Sequence, residues 1–216
     1  ITGQYSPAGL FGIVEEQGSI ESLSVRGVVS VSDSADTTTG GIVGINHGTL
    51  INCQFTGVVT GDSEVGGIVG RNESEGTIDH STARAIVTGK SSTGGIAGYN
   101  LGAITGCTNV GSINTEYPEA SLDTDGFTAK MVDYINNKMA AADNDATNSV
   151  TNVATDTGGI AGRSSGMILT SVNTGTIGYE HVGYNVGGIV GRTDGLVSGC
   201  VNQGRVLGRK DVGGIA

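Results

Sequence analysis

The amino-acid sequence predicts an all-β fold: a parallel β-helix, or β-solenoid, with about 26–29 residues and three short strands per coil. Three observations carry this expectation. A glycine-rich unit recurs as GGIVGIN (40–46), GGIVGRN (66–72), GGIAGYN (94–100), GGIAGRS (158–164), GGIVGRT (187–193) and a final GGIA (213–216). Its second glycines, Gly41, Gly67, Gly95, Gly159, Gly188 and Gly214, lie 26, 28, 64, 29 and 26 residues apart. The apolar residues are small, with 39 glycines, no tryptophan and 4% aromatics, which suits a thin core of stacked aliphatic side chains.

The rest of the unit agrees. GTLINCQFTGVVTG (48–61), GTIDHSTARAIVTG (76–89), GAITGCTNVGSIN (102–114), GMILTSVNTGTIG (166–178) and GLVSGCVNQGRVLG (195–208) align without gaps over their core. Each coil thus offers three apolar bursts: the Ile-Val or Ile-Ala pair, the Ile, Leu or Val after the next glycine, and the later GVV or GTI. Short β-branched bursts punctuated by glycine read as strands and tight corners. Such a unit cannot bury its apolar face alone, so coils must stack, strand pairing in parallel with strand. The handedness of parallel crossovers makes the predicted coil right-handed. A degenerate first copy, AGLFGIVEEQGSIESLSVRGVVS, places Gly9 opposite Gly41. GGIVG also resembles part of a phosphate-binding loop. Such a loop opens a helix once per nucleotide site, however, and this one recurs, leads into another strand and lacks the Lys-Ser/Thr pair.

Stacking turns equivalent positions into columns. One reads Leu23, Cys53, Ser81, Cys107, Ser171, Cys200. Cys53 and Cys107 are two coils apart, about 9.6 Å, beyond the reach of a disulfide, and no zinc-type spacing occurs. Three unpaired, buried thiols are expected. A second column, Asn109, Asn173 and Asn202, suggests amides bonded along the rod at a corner that tolerates the left-handed conformation. Asn46, Asn72 and Asn100, followed by Ser164 and Thr193, read as turn residues.

The long step marks an insertion at 115–157, acidic and almost free of the repeat. Within it Phe127, Met131, Tyr134, Ile135 and Met139 fall at helical spacing, predicting an amphipathic helix at about 125–142. That helix either projects as a partner-binding element or lies against one face of the rod. DNDATNSVTN (143–152) begins like a calcium loop but lacks the required Gly and Glu.

No catalytic constellation is present: His47, His80 and His181 are separate, the acids lie mostly in loops, and no nucleophile elbow occurs. No cofactor or metal is implied. The formal charge of −10 argues against nucleic acid and anionic membranes as partners. No stretch matches the ~18 apolar residues of a spanning helix. The start at Ile1 and the close inside a repeat lead to the expectation of a single solenoid domain, 1–216, within a longer chain.

The unit GGIVGxN-x-G-x-I-x-x-C-x-x-x-G-x-V-x-G, seen in GGIVGINHGTLINCQFTGVVTG, resembles the GLUG motif of large bacterial surface proteins. These include adhesin-like proteins and the stalks of immunoglobulin A-cleaving metallopeptidases. HVGYNVGGIVGRTDGLVSGCVNQGRVLGRKDVGGIA (181–216) is similar to segments of surface proteins from Gram-positive gut bacteria. The resemblance implies an extended solenoid, a secreted or wall-attached location, and partners among host proteins, glycans or other domains of the same chain. It implies no catalysis, since the peptidases' zinc motif is absent here. The leading expectation is a non-catalytic stalk or adhesion module. The alternatives are a recognition domain of a secreted peptidase or glycan-degrading enzyme, and a solenoid that itself cleaves glycans.

Overall fold

The computed structural model describes residues 1–3, 6–31, 37–115, 154–180 and 182–216. They form an all-β parallel solenoid. Strands stack into four sheets, three of them six strands deep and one eight-stranded. Every pairing between strands is parallel.

One coil shows the plan. Val65–Gly66 lies in the first sheet, Val69–Asn72 in the second, Thr77–Asp79 in the third and Thr82–Thr88 in the fourth. A coil therefore has four sides, not the three expected from the apolar bursts, the fourth side being split into two strands, Thr108–Asn109 and Ser112–Ile113, in the coil that follows Ser91. The burst in GGIVG straddles a corner. Thr39–Gly40 and Val43–Asn46 belong to different sheets, turned apart at Gly41-Ile42. The strand before the corner escaped notice because it is short and rich in Thr and Gly, with little apolar signal.

The Gly pair has a steric cause. A Cβ on Gly66 would lie 1.9 Å from the carbonyl oxygen of Val69, three residues on. A Cβ on Gly67 would lie 2.2 Å from the carbonyl oxygen of Gly95 in the next coil and 3.0 Å from Ala83 Cβ across the core. The corner closes only if both residues lack a side chain. The first coil departs from this pattern. Ala8 bridges to Thr39 and Phe11 pairs with Val43, so Gly9 matches the first glycine, Gly40, and this corner is one residue shorter. Placing Gly9 opposite Gly41 from the sequence missed that deletion.

The core is a set of columns. Ile42, Ile68, Ile96, Ile160 and Ile189 stack at one corner, and Leu50, Ile78, Ile104 and Ile168 along the third sheet, all fully buried. Val59, Val87, Ile113 and Ile177 line the fourth. Residues on either side of the long sequence step pair directly: Ser91 with Thr155, Ala97 with Ala161 and Asn109 with Asn173. The solenoid thus continues from coil to coil across a 64-residue gap in sequence.

Candidate functional site

Most of the Cys, Ser and Asn columns singled out in the sequence sit inside the coil. Cys53 and Cys107 are buried, whereas Cys200, in the last coil, is only half-buried, which corrects the expectation of three buried thiols. The Cys/Ser column is a hydrogen-bond ladder. The backbone N–H of Cys53 donates to Ser81 Oγ (3.1 Å), that of Ser81 to Cys107 Sγ (3.4 Å) and that of Cys107 to Ser171 Oγ (3.2 Å). The Cys107 thiol has the carbonyl oxygens of Ile78 and Thr105 within reach. Burial pushes its pKa up to about 12, so it stays protonated and donates rather than attacks. Burial raises Cys53 as well.

The asparagine columns are likewise interior. Asn109 Nδ2 donates to Asn173 Oδ1 (2.8 Å), and Asn173 Nδ2 to Asn202 Oδ1 (2.9 Å). Asn46, Asn72, Asn100 and Ser164 continue a parallel ladder in the second sheet (2.8, 2.9 and 3.1 Å). Left-handed backbone falls elsewhere: on the residue before the Cys/Ser column (Ser22, Asn52, His80, Gly106, Thr170, Gly199), on a second column (Glu64, Ser92, Asp156, Asn185, Asp211) and at Asn114. Phe127, Met131, Tyr134, Ile135 and Met139, with the helix expected at 125–142, lie outside the described residues. Among the described residues no group of three or more His, Cys, Asp or Glu is placed to hold a metal. No described helix is long and apolar enough to cross a membrane. His80 is exposed and pairs with Asp79 (2.9 Å).

The chemistry facing solvent lies in a column that sequence reasoning passed over. The residue between the third glycine and Asn of GGIVGxN points outward from the second sheet, and its register partners are Ile13, Ile45, Arg71, Tyr99, Arg163 and Arg192. The guanidinium groups of Arg71 and Arg163 each lie 5.2 Å from the Tyr99 ring centroid, sandwiching it. Arg71 is also held by Glu64 (2.9 Å) and Glu73 (2.7 Å). Tyr99 Oη is 3.2 Å from Ser165 Oγ. The signal was present in the sequence. This x is the position of the unit that carries charge or a ring in four of five copies.

The family model of the GLUG motif matches residues 61–88, a stretch of one coil's length. Halomucin from Haloquadratum walsbyi (strain DSM 16790 / HBSQ001) is 36% identical over 75 residues, which cover 35% of this chain and 1% of that protein. The chain therefore spans a very small part of the length of the relative it matches. No solved structure matches the chain. Residues 61–88, which match that motif, run from the end of one coil through the next, so the coil described above is the structural form of the matched stretch within a parallel β-solenoid.

Proposed function

We propose that this chain is a surface-protein repeat module that serves as a rigid stalk and adhesion segment, acting outside the cell without catalysis of its own. One observation carries the reading. Every interior column runs from coil to coil in register, across the long sequence step included, so length grows in fixed increments of about 4.8 Å per coil. Parallel pairing on all four sides resists bending in a way that a single sheet does not. The relation to Halomucin over a small fraction of a very long protein fits a module used within an extended surface chain.

The test is a binding screen of the chain against mucin, matrix proteins, immunoglobulin and glycan arrays, with a variant lacking residues 116–153 beside it. Saturable binding to at least one immobilised surface component supports adhesion. If both proteins bind nothing and small-angle scattering gives a compact globule, the stalk and adhesion reading fails.

A further inference from the structure

We propose that Arg163 and Arg192 form a binding site for the carboxylate of an acidic sugar. The argument compares one column with itself. Arg71 has two acids, one seven residues before it (Glu64) and one two residues after (Glu73), and it bonds both. The same two positions around Arg163 hold Asp156 and Ser165, and around Arg192 they hold Asn185 and Asp194. Asp156 is buried and accepts from Asn185 Nδ2 at 2.7 Å. Asp194 lies near both arginines without forming an ion pair, and its carboxyl is held below the usual range first by a hydrogen bond from Ser165, then by its own backbone N–H, and less by the two guanidinium groups. Among the described residues neither Arg163 nor Arg192 has an ion-pair partner.

Arg163 and Arg192 are direct register partners on adjacent parallel strands. Like charges placed opposite one another on a sheet destabilise it; Asp194 offsets this only in part, since it pairs directly with neither arginine, and a local rule broken in this way points to a function. An oxyanion held between two guanidinium forks removes the repulsion and forms charge-assisted hydrogen bonds. Arg163 is already oriented by its contact with Tyr99, which lowers the cost of ordering it. Ser165 donates to the Asp194 carboxylate and therefore accepts from Tyr99 Oη, so this hydroxyl pair beside the column offers acceptor lone pairs to sugar hydroxyls. A sparsely charged glycan suits the surroundings, because a chain of net charge −10 repels a dense polyanion. The site rests on the adhesion reading only for where such a glycan would be met. Its geometry stands without it.

The experiment is an NMR titration of the whole chain, following arginine Nε–Hε and backbone signals, with sodium glucuronate, glucose and sodium acetate as probes. Glucuronate is expected to shift the Arg163 and Arg192 signals saturably, with a Kd of about 1–10 mM. Glucose should leave them unmoved, and acetate should bind at least fivefold more weakly. R163Q and R192Q should each weaken glucuronate about tenfold, while R71Q, at the arginine already neutralised, changes it less than twofold. Backbone spectra of the three variants verify that the fold is kept. The site is overturned if glucuronate gives no saturable shift, if R71Q matters as much as R192Q, or if acetate binds as tightly. A positive titration with a negative surface screen leaves the site standing and removes the adhesion role.

Discussion

Inside the coil, an asparagine amide has two N–H groups and one carbonyl oxygen to satisfy without water. Asn72 does so by donating to Gly76 O (3.0 Å) and Asn100 Oδ1 (2.9 Å) while accepting from Asn46 Nδ2 (2.8 Å). All the amides donate toward the C-terminal side, so each bond polarises the next. Removing one member leaves a donor on Asn46 and an acceptor on Asn100 buried without partners, at about 1–3 kcal/mol each. Asn72→Ala is therefore expected to lose about 2–4 kcal/mol in urea denaturation. Asn72→Ser should lose less, since Ser164 already fills this column and accepts from Asn100 (3.1 Å). Equal losses would show that the amide ladder contributes little beyond volume.

At the scale of the element, the corner between first and second sheets decides the fold's tolerance. A Cβ on Gly95 would stand 2.2 Å from Gly159 O and 2.5 Å from Asn109 Cγ. The first obstacle is backbone of the next coil, which cannot yield without breaking its own pairing. Gly95→Ala is expected to cost about 3 kcal/mol or more. Gly27, on the strand Ser24–Val31, meets nothing within 4 Å of its would-be Cβ. Gly27→Ala should stay within about 0.5 kcal/mol of the parent. Thermal denaturation of the pair separates a steric requirement from mere glycine richness, and comparable Tm values would refute the steric account.

For the whole molecule, the decisive feature is how the coils meet across the long sequence step. Ser112 and Ile113 pair with Ile86 and Val87, and Thr155 pairs with Ser91. In the earlier coil three residues, 88–90, separate Val87 from Ser91; Asn114, Thr115 and Ala154 would fill the same places once 116–153 is removed. Excising those 38 residues turns the 64-residue step between Gly95 and Gly159 into 26, one of the ordinary periods. The shortened chain is expected to fold with unchanged β-sheet circular dichroism. It should gain about 1–2 kcal/mol from the shorter loop closure. A clear loss of stability would show that 116–153 contributes contacts to the solenoid.

The solenoid itself was legible in the sequence because its cause is local and repeated. The same glycines, the same Cys/Ser position and the same β-branched bursts return at each period, and only stacking can bury them. The count of strands per coil was not legible, because Thr39–Gly40 and its equivalents are made by pairing with neighbouring coils and have little signal of their own. The shortened first corner and the half-exposure of Cys200 depend on which coil covers which. The Arg71–Tyr99–Arg163–Arg192 column was written in the repeat as a variable letter. Sequence alone determined that these residues are equivalent. Only the tertiary structure decided that they face solvent in register, because that register joins strands 28 to 64 residues apart; Glu64 and Glu73 close on Arg71 from nearby in sequence, and among the described residues no carboxylate forms an ion pair with Arg163 or Arg192.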